Sequence, residues 1–250
     1  MLSPSFVAMT VRTLATALLV TSLGISGCSA EKAPKVALQK DIESISRILV
    51  IGDSISLGQG AGGKGPDCPL SDETNREDLA YPALLAKKTN AELIVLAHAG
   101  RGLVRNYNDM PGQSIQDWLG PPDYRRLPGP DAAPDLVLVH VGTNDFHHYD
   151  PGPEFELAYT ALIRHLLITY PKAQIVALIG PMLDDQDRGQ AAEHIQAALA
   201  SARENSQQRI DFILFDPKDQ PNVGIGCQWH PSAKMQQAMA DRILAQIVHP

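Results

Sequence analysis

Three short stretches carry side chains able to do acyl-transfer chemistry. In Arg47–Gly60, RILVIGDSISLGQG, the apolar run Ile48, Leu49, Val50, Ile51 gives way abruptly to Gly52, Asp53 and Ser54. The pattern predicts a buried strand ending in a turn, with a hydroxyl set just beyond the strand's carboxyl end. In open parallel sheets ligands bind in the crevice outside those ends, so Ser54 is the candidate nucleophile. Taken alone, the stretch also fits an ordinary turn in which Asp53 caps backbone groups. Its weight comes from VGTNDF at Val141–Phe146, after the apolar run that starts at Leu136, and from GCQWHPS at Gly226–Ser232. These put an amide, Asn144, and an imidazole, His230, just after a strand or before a helix, where all three groups could converge on one sheet edge. Ester hydrolysis needs a nucleophile, a base to take its proton, and donors for the oxyanion that develops on the carbonyl.

These stretches resemble the SGNH hydrolases, the GDSL-type esterases and lipases, whose pattern is Ser in GDS, a Gly after the second strand, Asn in GTND and His near the C terminus. GRGLVRNY at Gly100–Tyr107, GTNDF at Gly142–Phe146 and GCQWHP at Gly226–Pro231 bring the chain closer to carbohydrate esterase family 2, whose members deacetylate sugars. The resemblance runs from about Ile48 to the C terminus. It implies His230 as the base. It also implies three oxyanion donors: the backbone N–H of Ser54, the backbone N–H of a Gly in the Gly100–Gly102 turn, and the side-chain amide of Asn144. Gly102 is the expected Gly, with Gly100 as the alternative. The implied substrate is a small acyl ester, acetyl on a carbohydrate, cleaved through an acyl-enzyme on Ser54 without metal or organic cofactor. The residues alone reach only ester hydrolysis. The alternatives are a lysophospholipase or thioesterase of the same superfamily acting on lipid acyl esters, and a non-catalytic glycan-binding surface lipoprotein.

The chain departs from the wider pattern at the base. Many SGNH members carry an Asp three residues before the His, where this chain has Cys227, and position 228 is Gln. A Ser-His dyad is therefore expected, with a neutral amide or a backbone carbonyl orienting the imidazole; a carboxylate from Asp216 or Asp219 is the alternative. The Asn often found on strand two is also absent, with His98 nearby. Arg101, Arg105, Asn106, Tyr107 and Trp229 are candidates for lining the acyl or sugar pocket. Asp53 and Asp145 are expected to hold turns by hydrogen-bonding backbone. His147 and His148, beside Asp145 and Asp150, read as a polar loop after strand three, since the cluster does not establish the ligand count and geometry of a metal site. His98 and His140 read as structural, and His165, His194 and His249 as helix-surface or terminal residues.

At 250 residues, 44% hydrophobic and 20% charged, the composition fits one globular domain with a sizeable core. A net charge of −7 gives no electrostatic footprint for nucleic acid. Arg12 precedes the apolar run Leu14–Leu23, which ends in Gly24-Ile25-Ser26-Gly27-Cys28. A basic residue, a short apolar core and small residues at a cut site predict a secretory signal, and the run is too short to span a bilayer. Ile25–Cys28 resembles a bacterial lipobox, in which Cys28 becomes the lipidated N terminus. The expected organisation is a signal peptide at 1–27, a lipid-anchored tether at 28–44 and a hydrolase domain at 45–250, without the jelly-roll domain that usually precedes it in carbohydrate esterase family 2. Such a chain would be an exported monomeric lipoprotein of the periplasm, outer membrane or cell surface, touching the membrane only through its lipid. Cys68 and Cys227 then form an even pair, expected as a disulfide between the loop after Ser54 and the turn carrying His230.

The elements that must position these groups alternate along the chain. Strands are expected near Ile48–Ile51, Leu93–Ala97, Leu136–Val141, Gln174–Ile179 and Asp211–Phe215. Helices are expected from Leu79 to Thr89 with Asp78 as cap, at Ser114–Leu119, from Glu154 to Thr169, from Gln190 to Glu204, and from Pro231 to Val248. Parallel strands require crossovers that cover the sheet, so this order predicts a three-layer α/β/α, flavodoxin-like domain with a five-stranded parallel sheet.

Overall fold

The computed structural model describes residues 44–203, 206–219 and 224–248, at Asp219 for the backbone only. The expected signal segment, Cys28, nearly all of the expected tether and His249 lie outside the described residues.

Five strands form one parallel sheet: β1 (Arg47–Gly52), β2 (Glu92–Ala97), β3 (Leu136–His140), β4 (Gln174–Ile179) and β5 (Ile210–Leu214). Their order is β2-β1-β3-β4-β5, the flavodoxin-like arrangement. The central strands β1, β3 and β4 read as apolar runs because both of their faces are covered. Alternate residues then serve different layers. Leu49, Ile51, Val137, Val139, Ile175 and Ala177 face one core, with α4 (Pro153–Thr169) and α5 (Asp185–Arg203). Ile48, Val50, Leu136, Leu138, Val176 and Leu178 face the other, with α1 (Tyr81–Thr89) and α6 (Ala233–Val248). Two short helices, α2 (Ile115–Leu119) and α3 (Thr143–Phe146), lie after β2 and β3.

Several element starts differ from expectation, each for a local reason. Asp78 does not cap α1. It sits in a 3-10 turn at Glu77–Leu79, its carboxylate taken by Arg76 at 2.7 Å, and Ala80 is the N-cap. Helix α5 begins five residues before Gln190 because Asp184 Oδ1 accepts the Asp187 amide at 2.9 Å, an N-terminal cap. Helix α6 begins after Pro231, with Ser232 Oγ accepting the Met235 amide at 3.3 Å. At Ser114 the expected short helix carries a complete capping box with Asp117.

The order reverses at β1: from it the chain runs outward to β2 on one side and to β3 on the other. The crevice beyond the carboxyl ends of β1 and β3 is the switch point at which such sheets bind ligands. Ser54 follows β1 and Asn144 follows β3, so both lie there.

Candidate active site

Beneath Ser54 lies a buried polar scaffold. Asp53 Oδ1 accepts the Ile55 amide at 2.9 Å, closing the turn that presents Ser54. Gln236 of α6, fully buried, donates to the Ile55 carbonyl (3.0 Å) and accepts from the Tyr81 amide (2.8 Å), tying the turn to α1 and α6. Tyr81 Oη lies 2.8 Å from Ser56 Oγ and 3.2 Å from His140 Nδ1, while His140 Nε2 lies 2.8 Å from the Gly180 carbonyl. A carbonyl can only accept, so Nε2 carries the proton, Nδ1 accepts from Tyr81, and Ser56 donates to Tyr81. Burial pushes the His140 pKa down to about 4 and keeps this ring neutral.

The reactive groups meet above that scaffold. His230 Nε2 is 3.0 Å from Ser54 Oγ, and both residues are nearly buried. His230 Nδ1 lies 3.2 Å from the Cys227 carbonyl and 3.1 Å from the Gln228 carbonyl. Those acceptors place the proton on Nδ1 and leave Nε2 with a lone pair toward the serine. Burial also holds the His230 pKa below the ordinary histidine value, with the two carbonyls opposing that shift. No carboxylate meets the imidazole among the described residues. Asp216 is instead paired with Arg188 at 3.2 Å, and the Asp219 side chain lies outside the described residues.

The carbonyls reach Nδ1 because the segment before the histidine is bent back. Gln228 (φ 47°) and Trp229 (φ 63°) both occupy the left-handed region, which is costly for such residues. Local bonds hold the bend: Cys227 N donates to Gly60 O (3.0 Å), Gln228 N to Pro66 O (2.9 Å) and Gly226 N to His230 O (2.8 Å). The Cys68–Cys227 disulfide joins the same two segments, with Cα atoms 4.8 Å apart.

Asn144 Nδ2 donates to the Arg101 carbonyl at 2.9 Å and lies 3.4 Å from Asp53 Oδ2. It is the second residue of the four-residue helix α3, whose N-cap, Gly142, has φ +124°, a conformation suited to glycine. The next residue, Asp145, accepts the amides of Leu103, Val104 and Arg105 at 2.8, 2.8 and 3.0 Å, fastening the loop after β2 to the loop after β3. Desolvation raises both buried carboxyls, Asp53 to about 7 and Asp145 to about 6, with the accepted amides pulling the other way.

A cleft of about 730 Å³ opens over Ser54, His230 and Asn144. Its wall includes Gly100 (φ +70°), Tyr107 and the exposed Trp229, which reaches 65% exposure at the rim. Four residues expected at the site do not line this cleft. Gly102 is buried below the site, where a Cβ would strike the Arg105 carbonyl and the Asp145 carboxylate. The Arg101 guanidinium turns away to donate to Pro111 O at 2.8 Å. Asn106 is buried, its amide stapling the loop through Met110 O and Gly112 O, both at 3.0 Å. Arg105 reaches the Asp145 and His147 carbonyls and Asp109. Conversely, His147 forms part of the cleft wall, stacked on Tyr107 with ring centroids 4.7 Å apart. Neither its spacing nor its neighbours in the sequence distinguished it from a loop histidine. Met110, Met182 and Leu183 add an apolar side to the cleft.

The arrangement is similar to known proteins. "Cellulase/esterase CelE" of Acetivibrio thermocellus is 29% identical over 205 residues, which is 80% of this chain and 25% of that protein. An "Acetylxylan esterase / glucomannan deacetylase" of Cellvibrio japonicus is 26% identical over 223 residues, covering 80% of this chain and 58% of that one. The chain thus spans about a quarter and just over half the length of these curated relatives. Among solved structures, a family two carbohydrate esterase from Clostridium thermocellum in complex with cellohexaose superposes with a TM-score of 0.72 at 28% identity, covering 81% of this chain and 64% of that one. With residues 50–238 matching its family model, the chain belongs to the GDSL-like Lipase/Acylhydrolase family.

Proposed function

We propose that the chain is a serine esterase that removes small acyl groups, acetyl foremost, from a carbohydrate. The observation that carries this reading is the 3.0 Å approach of His230 Nε2 to Ser54 Oγ, with Nδ1 turned to two carbonyls. Ser54 Oγ attacks the ester carbonyl as its proton passes to His230 Nε2. The negative charge that develops on the carbonyl oxygen is met by the backbone N–H groups of Ser54 and Gly100 and by the Asn144 amide. Gly100 takes the place expected for Gly102, because Gly100 lines the cleft and Gly102 lies below it. Collapse of the tetrahedral species breaks the ester bond, and the imidazolium returns its proton to the departing sugar oxygen. Water then attacks the acyl-serine, giving its proton to His230, and acetate leaves as Ser54 Oγ recovers a proton. The carbohydrate is supported by the relatives, an acetylxylan esterase and glucomannan deacetylase and a cellulase/esterase.

The same reading makes the protein an exported lipoprotein held to a membrane through Cys28, supported by the apolar run Leu14–Leu23 and the lipobox-like Ile25–Cys28. Cys28→Ser should release it from membrane fractions.

The test of function is acetate release from acetylated xylan or mannan oligosaccharides, beside 4-nitrophenyl acetate and decanoate, with Ser54→Ala as control. Release from the sugars that is lost in the variant is expected. Hydrolysis of decanoate without sugar acetates would move the substrate to lipid esters, and function unchanged in Ser54→Ala would leave only glycan binding.

A further inference from the structure

Two adjoining concavities, of about 180 and 370 Å³, lie on the far side of the turn that bears Gly100. Ala99 and Gly100 line the Ser54 cleft, while the residues flanking them, His98 and Arg101, line the smaller concavity with Gln113 and Trp118. Gln113 and Trp118 continue into the larger one, which Arg125 and Arg126 close. Arg126 lies over the Trp118 ring at 4.9 Å and donates to the Trp118 carbonyl at 2.6 Å, and the His98 ring meets Trp118 edge-on at 4.3 Å.

The positive charge here outweighs the negative, three arginines against one carboxylate. Among the described residues none of Arg101, Arg125 and Arg126 makes an ion pair, whereas Arg47, Arg76, Arg105, Arg188 and Arg209 all do. Asp117 is the only acidic residue on these walls, and its carboxylate serves the Ser114 amide at 3.3 Å. Burial lowers the His98 pKa first, and Arg101 and Arg126 lie close enough to lower it further. Like charges gathered around a concavity repel one another in a chain whose net charge is −7. A bound anion would relieve that repulsion, and the planar guanidinium suits a carboxylate.

We propose that these concavities form an anion-binding subsite, which takes the carboxylate of an acidic sugar unit on the same polysaccharide that presents its ester to Ser54. The inference rests on the carbohydrate reading above and deepens it. The shared turn at His98–Arg101 puts the subsite beside the cleft, and Gln113 and Trp118 furnish polar and aromatic edges to a sugar ring.

The direct test is binding. Ser54→Ala is titrated calorimetrically with an ester-free uronic-acid-bearing xylo-oligosaccharide and with its neutral counterpart, and again with Arg125→Glu/Arg126→Glu added. Roughly tenfold tighter binding of the acidic sugar at low salt is expected, vanishing in the added variant and near 0.5 M NaCl, as screening of exposed charges requires. Equal affinities for both sugars, or an advantage that survives the charge reversal, would overturn the subsite. Activity of Arg125→Glu/Arg126→Glu on 4-nitrophenyl acetate should match the unsubstituted protein, which shows that the fold and Ser54 are intact. An absence of acetate release from every sugar would defeat the esterase reading while the titration still decides the subsite.

Discussion

Ser54 Oγ and His230 Nε2, 176 residues apart in the chain, meet at 3.0 Å, with the far side of the imidazole held by main-chain carbonyls rather than a carboxylate. The positioning of the base therefore depends on the backbone of the bend at residues 226–229.

The pH dependence of activity follows from that geometry. In the proposed mechanism the neutral imidazole is the base, and its folded pKa lies below the ordinary value because burial disfavours the imidazolium. Activity is thus retained below pH 6.5 and lost only as pH falls through the depressed value. A profile of kcat/KM on 4-nitrophenyl acetate should place the acid limb below pH 6.5; a midpoint above it would contradict the assignment.

Asn144→Ala removes the proposed oxyanion donor, whose amide is held by the Arg101 carbonyl. Loss of one such donor costs about 2.7 to 4 kcal/mol of transition-state stabilisation, so kcat should fall about a hundredfold to a thousandfold. Steady-state kinetics on a sugar acetate measures this directly, and a change under threefold would exclude the role.

Cys68→Ser opens the disulfide without touching the carbonyl at Cys227. Loss of a long-range bridge costs about 2 to 4 kcal/mol, a fall in Tm of roughly 5 to 15 °C. Activity should fall as well, because the bridge braces the bend that aims His230. Thermal unfolding and nitrophenyl acetate assays with and without reductant would check both, and an unchanged Tm would remove the bracing argument.

Tyr81→Phe strips the hydroxyl that joins Ser56 to His140, leaving two buried polar groups without their partner. A cost of about 1 to 3 kcal/mol is expected. Urea unfolding should show a lower midpoint, and equal midpoints would indicate that the network rearranges.

The layer architecture was legible because the three central strands are short branched-apolar runs ending at or just before a glycine, a pattern set by burial on both faces. Ser54, Asn144 and His230 stood out for the same local reason: each follows a strand or precedes a helix. Local pattern failed where long-range contacts compete with it. Asp78 looked like a helix cap, but Arg76 claims its carboxylate. Gly102 and Gly100 share one turn, and only the packing of Asp145 against that turn decides which of them faces the cleft. Arg101 and Asn106 have side chains suited to a sugar, yet nearby carbonyls take them.

Other features had no local signal at all. Gln236 looks like one more polar residue on a helix, and becomes a tie between α1, α6 and the serine turn only when three distant segments pack together. The group that orients His230 is likewise main chain, which carries no residue identity. By itself the sequence determined the alternation of elements, the family and the candidate side chains for the chemistry, because these are properties of residue type and spacing. Only the tertiary structure decided which glycine faces the cleft, what holds the imidazole and where the unpaired arginines gather, because those depend on distances between segments far apart in the chain.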